Sequence, residues 1–318
     1  MCSCKRNLFI FSSPACSTVY IMKLLTYAKS ATHSHLAVVV PGSPGQVCDL
    51  TCAMAECPKN MKELLEGGEP MLQRVRDAIA TGDGRKELEA LDILAPISDP
   101  GKILCVGMNY REHCIEQNFP IPEEPVIFSK FNTAVNKPTG NVLYNSKLTQ
   151  EMDWEVEMVI VIGKAGKNIK RENAMEHVAG YSVSHDVSAR DWQMKRNGGQ
   201  WLLGKTMDTF FPFGPYIVTK DEPNLDPHNL GIRCFVNGNV VQDSNTNELI
   251  FQTQDCVAFI SQFVTLLPGD LISTGTPSGV GCFRKPPVWL KHGDVVRCEI
   301  DQLGVVQNKV VDMSLGSL

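Results

Sequence analysis

The chain has 318 residues, of which 43% are hydrophobic and 20% are charged, so it is long enough to bury a sizeable core. Its formal net charge is −5 and its pI is about 5.8, which argues against the basic surface typical of proteins that bind nucleic acid or anionic membranes. The sequence contains no apolar stretch long enough for a membrane span. We therefore expect an ordinary globular protein with neither nucleic acid nor a membrane as its main partner.

The 12 cysteines are scattered along the chain, and several lie in apolar, strand-like runs. This distribution favours free thiols in a reducing compartment over a disulfide framework. Cys2 and Cys4 form one pair, and Cys48, Cys52 and Cys57 form a loose cluster. Because no second group of Cys or His has matching zinc spacing, a structural zinc site is disfavoured.

The start of the chain has the composition of a targeting segment. Its first 48 residues contain no Asp or Glu, are rich in Ser and include Lys5 and Arg6, which is typical of a mitochondrial transit peptide. A secretory signal is the alternative, since those two residues precede a short apolar patch at 8–11, although polar residues and a proline interrupt it at 12–14. We expect residues 1–21 to be a targeting leader and the protein to be mitochondrial, with a cytoplasmic location as the alternative.

Residues 22–98 predict a small N-terminal α/β domain. Strand-like runs lie at 22–28 and 36–40, and apolar residues at helical spacing predict a helix over 60–80. Two prolines and a glycine within 94–101 indicate a boundary before the rest of the chain.

Residues 99–318 predict a strand-rich mixed domain, so the fold class is α+β. Strand-like runs lie at 103–106, 126–128, 156–162, 181–184, 232–236, 271–273 and 295–300, and helical candidates at 111–118, 171–177 and 255–263. The Asn-Gly pair within Val236–Val240 predicts a hairpin with a type I′ turn. The sequence has no dinucleotide-binding or P-loop glycine motif and no internal repeat, which argues against a doubly wound fold.

The stretch MDWEVEMVIVIGK, residues 152–164, places acids at alternate positions at the head of a strand. Asp153, Glu155 and Glu157 share one face, because side chains alternate with period two. The run then becomes apolar at every position, which indicates burial on both faces. Carboxylates this close repel each other and are costly to bury unpaired. Either the acids lie on a solvated strand edge, or a hard cation neutralises them.

Other polar groups also have two interpretations each. Asp186 ends a strand-like run, where it can be a helix N-cap or a ligand. His113 and Glu116 share a helix face and can be a surface pair or a functional dyad. The turn at 273–281 can be only a turn, or its hydroxyls and amides can bind a carboxylate. Lys205 can be an ordinary solvated lysine.

Together these stretches resemble the fumarylacetoacetate hydrolase family. The resemblance runs from about residue 22 to the C-terminus and rests on five ordered motifs, G-M-N-Y-R-E-H, D-W-E-V-E followed by V-I-G-K, H-D-V-S-A-R-D-W-Q, L-G-K-T-M-D-T-F and T-G-T-P-S-G-V-G. It implies that the small N-terminal domain is followed, over residues 99–318, by a catalytic domain with a mixed β-roll or pseudo-barrel. It also implies a homodimer.

The resemblance implies a metal site. In the family, the acids that match Glu155, Glu157 and Asp186 bind Mg²⁺ or Mn²⁺, so the cation interpretation of the acidic strand is the one it supports. Asp153 has no ligand role in this pattern. It is expected either to orient a neighbouring group or to be solvated.

The resemblance also implies a small 2-oxo acid with a second carbonyl as substrate, and an enolate next to the metal. Lys205 matches the catalytic lysine, which would add positive charge at the enolate oxygen or carry a proton. Arg190 and Gln193 match substrate contacts, and the Thr276 hydroxyl with nearby amides would hold a carboxylate.

His113 and Glu116 match a dyad that activates water, in a segment that closes over ligands as a lid. We therefore expect the dyad to lie away from the metal site while the lid is open. The activity expected from the resemblance is oxaloacetate keto-enol tautomerisation. Acylpyruvate C–C hydrolysis or oxaloacetate decarboxylation is the alternative, and a metal-binding protein without turnover is a third hypothesis.

Overall fold

The computed structural model describes residues 22–315, so the predicted leader at 1–21 lies outside the described residues. The strands are β1 Lys23–Ser30, β2 His33–Val40, β3 Ser43–Asp49, β4 Arg85–Glu87, β5 Ile93–Leu94, β6 Ile103–Gly107, β7 Val126–Lys130, β8 Val135–Asn136, β9 Val142–Tyr144, β10 Met152–Asp153, β11 Val156–Ile162, β12 Val178–His185, β13 Ser188–Ala189, β14 Phe211–Thr219, β15 Gly231–Val236, β16 Asn239–Asn245, β17 Leu271–Ser273, β18 Val295–Ile300 and β19 Gly304–Asp312. The α-helices are α1 Leu50–Ala53, α2 Met61–Glu66, α3 Gly68–Thr81, α4 Arg111–Glu116, α5 Leu202–Lys205 and α6 Thr253–Phe263.

Two large sheets organise the described residues. A 12-stranded sheet has the order β4-β3-β2-β1-β14-β12-β11-β17-β6-β7, with β5 beside β1 and β8 beside β14. A five-stranded sheet has the order β16-β15-β18-β19-β9, and β10 pairs with β13. Most neighbours are antiparallel, but β17 and β6 are parallel, as are β19 and β9 and also β14 and β8. The predicted strand-rich α+β class is therefore confirmed.

Strand β11 is buried along its whole length, as its apolar run predicts. Met158 and Ile160 face a core shared with the five-stranded sheet, whereas Val159 and Val161 face a second core shared with α2 and α3. Since side chains alternate, the acids at positions 155 and 157 share the face of Val159 and Val161. The strand and the residue before it thus carry two carboxylates into the interior.

The predicted strands and hairpin are found, but the helix predicted over 60–80 is broken. It divides into α2 and α3 at the Gly67-Gly68 pair, where Gly68 has φ +55 and so leaves the right-handed helical conformation. The candidate at 171–177 forms a 3₁₀ helix in place of an α-helix. Asn237 and Gly238 have φ angles of 51° and 81°, as the predicted hairpin turn requires.

The sheet continues from the N-terminal segment into the rest of the chain, because β1 pairs with both β2 and β14. Leu24 and Val38 lie in the same apolar core as Phe211. The division into domains at residues 98 and 99 stays a prediction. Among the described helices, none has both the length and the apolar character that a membrane crossing demands.

Candidate active site

The candidate site lies at one edge of the large sheet's centre, where β11 begins and β12 and β17 end. Glu155 precedes β11 and Asp186 follows β12, and the Asp186 amide donates to the Glu155 carbonyl at 2.9 Å. Ser273 ends β17, which pairs with the other side of β11. A cavity of about 60 Å³ opens here, and its lining includes seven of the predicted site residues, His113, Glu155, Glu157, Arg190, Gln193, Lys205 and Thr276.

The three predicted metal ligands converge. Glu155, Glu157 and Asp186 are 5%, 2% and 0% exposed, and each offers a carboxylate oxygen within 4.8 Å of the others. Oxygens that share one divalent cation in an octahedron at about 2.0–2.1 Å lie about 3–4 Å apart, so small side-chain movements would complete such a site. The interpretation of these acids as a solvated strand edge is wrong, because their strand is buried.

Glu157 has the most strongly repelled carboxyl group of the three acids. Burial raises the pKa of its carboxyl well above the ordinary value, and the neighbouring carboxylates of Asp186 and Glu155 raise it further. One of its oxygens accepts hydrogen bonds from the Ser273 hydroxyl at 2.5 Å and the Gly275 amide at 3.0 Å. These donors offset part of the burial cost, and a cation would offset the repulsion. The residues present therefore fit a divalent cation with oxygen ligands.

Lys205 is buried, in contrast to an ordinary solvated lysine. Its ammonium donates to Glu155 at 2.7 Å and to Asp186 at 2.9 Å. Burial lowers the pKa of Lys205, but the carboxylates of Asp186 and Glu155 outweigh burial, and the pKa ends above its ordinary value. Lys205 thus stays charged at neutral pH and places a fixed positive charge beside the acids.

A second buried lysine, Lys130, was not predicted. Its Nζ lies 2.7 Å from Asp186, in an ion pair without good hydrogen-bond geometry, and donates to the carbonyls of Val187 at 3.1 Å, Phe210 at 2.9 Å and Lys205. It therefore holds both a candidate ligand and the backbone of the candidate catalytic lysine. The sequence shows only a lysine at the end of a strand, which ordinarily points to solvent.

Arg190 is the third cation beside these acids. Its Nε donates to Asp153 at 2.8 Å, its Nη1 donates to Gln193 at 2.8 Å, and its Nη2 lies 2.6 Å from Glu155. Asp153 is fully buried and also accepts from the Gly281 amide at 2.7 Å. Of the two expectations for Asp153, orientation of a neighbouring group fits the structure and solvation does not.

The charges of this buried cluster do not cancel. With every group ionised, four carboxylates face three cations, an excess of one negative charge, in the cluster of Asp153, Glu155, Glu157, Asp186, Lys130, Arg190 and Lys205. The raised pKa of Glu157 reduces this excess when no cation is bound. A divalent cation would reverse the sign of the cluster. A site of that sign would attract an anionic substrate such as a small carboxylic acid.

The neighbour of Asp186 in the H-D motif, His185, has no part in the cavity lining. It is fully buried, and burial lowers the pKa of its imidazole to about 4, so the ring is neutral at neutral pH. The motif thus contributes to the site through Asp186.

The His113–Glu116 pair lies at the cavity, where it is not a surface pair. His113 is 6% exposed, and its Nδ1 lies 3.1 Å from a Glu116 oxygen. The other Glu116 oxygen accepts from the Gly279 amide at 3.0 Å, which fastens α4 to the turn at 273–281. In this structure the dyad therefore lies at the cavity, and the Glu116–Gly279 contact ties its segment to the turn; that the segment acts as a lid stays a prediction.

Thr276 lies in the cavity lining, but its hydroxyl is already bonded. It donates to the Val156 carbonyl at 2.9 Å and accepts from the Gln242 amide at 2.8 Å. Its contact with a substrate carboxylate stays a prediction. Gln242 was not predicted, because nothing in its own strand indicates that it reaches the site.

Comparison with known proteins gives the same family as the motifs. The sequence profile described as Fumarylacetoacetate (FAA) hydrolase C-terminal matches residues 102–311. The chain is 53% identical over 307 residues to the Xenopus laevis protein named oxaloacetate tautomerase fahd2, mitochondrial, covering 96% of this chain and 94% of that one. It is 56% identical over 270 residues to the Homo sapiens protein named oxaloacetate tautomerase FAHD2A, mitochondrial, covering 85% of each. These names confirm the predicted mitochondrial location.

Solved structures of the same fold agree. A fumarylacetoacetate hydrolase from Exiguobacterium antarcticum is 33% identical with a TM-score of 0.80, covering 92% of this chain and 99% of that one. Maleylpyruvate hydrolase from Sphingobium sp. SYK-6, in complex with manganese(II) and pyruvate, is 30% identical with a TM-score of 0.74 and the same coverage. By its profile, its relatives and its fold, the chain belongs to the fumarylacetoacetate hydrolase family.

Proposed function

We propose that the protein interconverts the enol and keto forms of oxaloacetate. The observation that carries this proposal is a group of three buried carboxylates beside a charged lysine, at a cavity that His113 of the His113–Glu116 pair also lines. Its specific reaction is supported by the relatives named oxaloacetate tautomerase, which match at 53% and 56% identity over most of the chain.

Glu155, Glu157 and Asp186 would hold Mg²⁺ or Mn²⁺, since a site made only of carboxylate oxygens suits hard divalent cations. When bound, the cation would stabilise the negative oxygen of an enolate. The related maleylpyruvate hydrolase was solved with manganese(II), which supports this choice of metal.

Tautomerisation moves one proton from the C2 hydroxyl of the enol to C3, so it consumes neither water nor an oxidant. The charged Lys205 would stabilise the oxygen as it loses that proton. Arg190 and Gln193 line the cavity and would donate hydrogen bonds to the substrate, and Thr276 would contribute to holding a carboxylate. The proton can return to C3 from a water molecule, so the reaction does not demand an activated nucleophile.

Acylpyruvate C–C hydrolysis is the second candidate, and the intact dyad favours it. Glu116 orients the His113 ring through Nδ1, which leaves Nε2 to take a proton from an attacking water. A structural neighbour of this fold is named maleylpyruvate hydrolase, which supports this alternative.

Two variants, each assayed for both activities with Mn²⁺, separate the candidates. His113→Ala should lower acylpyruvate hydrolysis by about 10²-fold or more, the usual scale for loss of a general base. It should lower the tautomerisation of enol-oxaloacetate much less. Glu155→Ala should abolish every activity, because the site loses a ligand.

Each outcome has a clear meaning. Equal loss of both activities in His113→Ala would show that this residue also carries the tautomerisation proton. Full activity in Glu155→Ala would refute the metal mechanism. If the wild-type protein binds Mn²⁺ yet turns over neither substrate, the third hypothesis, a metal-binding protein without turnover, is correct.

The homodimer is also a proposal, and an apolar groove supports it. A cavity of about 240 Å³ is lined by Leu104, Pro125, Ile127, Phe259, Ile260, Phe263 and Val264. Phe263 is 69% exposed there, and β7 forms the adjacent free edge of the large sheet. Phe263→Asp should halve the mass measured by light scattering, whereas Val240→Asp, a control at an exposed hairpin position, should not. An unchanged mass in Phe263→Asp would place the interface elsewhere.

The leader and the domains complete the proposal. We propose that residues 1–21 direct import and that 22–98 and 99–318 are the two structural units of the mature chain. A C-terminal fluorescent tag, on chains with and without residues 1–21, tests import. A cytosolic pattern for the full-length chain would refute it.

A further inference from the structure

We infer that Gln242 is a positioning residue that sets the geometry of the metal-binding acids from outside the cavity. The inference rests on the proposed metal site. Gln242 lies on β16 of the five-stranded sheet, is 1% exposed and has no part in the cavity lining. Its side-chain hydrogen bonds nevertheless all end on the two segments that build the site.

The first segment is the acidic strand. The Gln242 carbonyl oxygen accepts from the Val156 amide at 3.1 Å, and Val156 lies between the candidate ligands Glu155 and Glu157. The Val156 carbonyl accepts from the Thr276 hydroxyl at 2.9 Å. Both backbone groups of the residue between the two ligands are therefore held by side chains, at the point where the regular strand begins.

The second segment is the turn at 273–281. The Gln242 amide nitrogen donates to the Thr276 hydroxyl at 2.8 Å and to the Pro277 carbonyl at 2.8 Å. The same turn supplies the Gly275 amide that binds Glu157. Gln242 therefore closes a ring of hydrogen bonds that fixes the distance between the turn and the acidic strand.

The surroundings of Gln242 also determine its orientation. Its carbonyl faces the Val156 amide and its nitrogen faces the Pro277 carbonyl, so the reversed amide would oppose like groups at both of these contacts. The turn at 273–281 packs directly on β16, the strand that carries Gln242. A Cβ on Gly279 would stand only 2.2 Å from the Val241 carbonyl oxygen. No other amide-bearing side chain among the described residues makes these contacts.

The ring has a consequence for the Thr276 hydroxyl. Its hydrogen is directed to Val156 and one of its lone pairs to Gln242, so the hydroxyl serves the frame of the site in this arrangement. Loss of Gln242 would release this hydroxyl and the Val156 amide together. The two ligands on either side of Val156 would then lose their common anchor.

The test is a double-mutant cycle of Gln242→Met and Thr276→Val, read by Mn²⁺ affinity of the full-length protein without substrate. Gln242→Met keeps the volume of the side chain but neither donates nor accepts as the amide does. We expect it to weaken Mn²⁺ binding by about 10–100-fold, the scale for residues that orient metal ligands. Because both variants break the same ring, the double variant should bind Mn²⁺ about as weakly as the weaker single variant.

A control separates positioning from general destabilisation. Thr246→Val removes another buried hydrogen bond at the end of β16, from the Leu230 amide at 2.8 Å, outside the cavity lining. It should lower the melting temperature but leave Mn²⁺ affinity unchanged. Gln242→Glu is the second variant if Gln242→Met does not fold, because it keeps the acceptor for Val156 and loses the donors. It should weaken Mn²⁺ binding on the same scale.

Failure of the inference is distinguishable from failure of the proposed function. If the wild-type protein does not bind Mn²⁺, the proposed metal site is wrong. If the wild type binds Mn²⁺ and the Gln242 variants that fold bind it equally well, only the positioning role is refuted. The role would also be refuted if the fold losses in Mn²⁺ affinity of the two single variants multiplied in the double variant. The ring would then not act as one unit.

Discussion

Replacing Glu157 by Gln is expected to make the metal-free protein, measured in EDTA, more stable. The same substitution should remove metal binding. The Glu157 carboxyl is 2% exposed and faces Asp186 and Glu155, and burial with these neighbours raises its pKa well above 4.5. The Gln side chain keeps an oxygen to accept from the Ser273 hydroxyl and the Gly275 amide. It replaces the second carboxylate oxygen, which Asp186 and Glu155 repel, with an amide NH₂ donor. This change should stabilise the fold by about 1–3 kcal/mol.

The pH dependence of this effect has a definite sign. An acid whose pKa is raised in the folded state binds protons more tightly there than in the unfolded chain. The stability that Glu157 contributes as a neutral acid is therefore present below pH 4.5 and is lost as the pH rises through the folded-state pKa. The advantage of Glu157→Gln in EDTA should thus grow as the pH rises.

The assay is thermal unfolding in EDTA and in Mn²⁺. At about 2 °C per kcal/mol for a large domain, Glu157→Gln should raise the melting temperature in EDTA by about 2–6 °C. Mn²⁺ at 100 times its dissociation constant should stabilise the wild type by about 2.7 kcal/mol and the variant by far less.

Glu222→Gln is the matched control, because Glu222 is also a buried acid whose pKa burial raises, but it lies outside the metal cluster. That variant should keep the full Mn²⁺ effect. A lower melting temperature for Glu157→Gln in EDTA, or wild-type stabilisation of it by Mn²⁺, would refute the reasoning.

Three further predictions concern the same site. Lys130→Met should lower the free energy of unfolding by about 3–5 kcal/mol, because it leaves Asp186 and several carbonyls without their buried partner. Urea unfolding in EDTA measures this, and an unchanged urea midpoint would contradict it. Gly279→Ala should lower stability and kcat, since φ is +104 and the new Cβ would stand 2.2 Å from the Val241 carbonyl oxygen; wild-type values of both would show that the turn can relax. Mn²⁺ binding should release a proton from Glu157, so Mn²⁺ affinity should rise with pH. Calorimetry in buffers of different ionisation enthalpy measures the proton release. Equal binding heats in all buffers, corrected for the affinity of each buffer for Mn²⁺, would exclude it.

Much of the site was predictable because its ligands follow local rules. Strand alternation puts Glu155 and Glu157 on one face whatever the tertiary fold, and the motifs add Asp186. Strand β11 is found with the predicted bounds, Val156–Ile162. Strand β14 was not predicted, since it contains two prolines, which normally argue against an internal strand.

The supporting residues could not be predicted for a physical reason. Lys130 binds carbonyls 57 to 80 residues away, and Gln242 binds Val156, which is 86 residues away. Their importance arises only from tertiary contacts, and each has a side chain that the surrounding sequence would allow to point to solvent. The position of the His113–Glu116 pair has the same origin, because the Glu116–Gly279 bond joins segments 163 residues apart.

The pairing of β1 with β14 limits how the chain can be divided. The family profile begins at residue 102, after β1 to β5 have ended. A fragment that starts there would leave β14 without its neighbour on that side and would uncover Phe211 and Phe213, which pack against the N-terminal core. Such a fragment would expose an unpaired strand beside bare apolar surface, the combination that promotes edge-to-edge aggregation. The portion that the profile matches is therefore expected to need the N-terminal segment, which pairs with its exposed strand and covers its apolar surface.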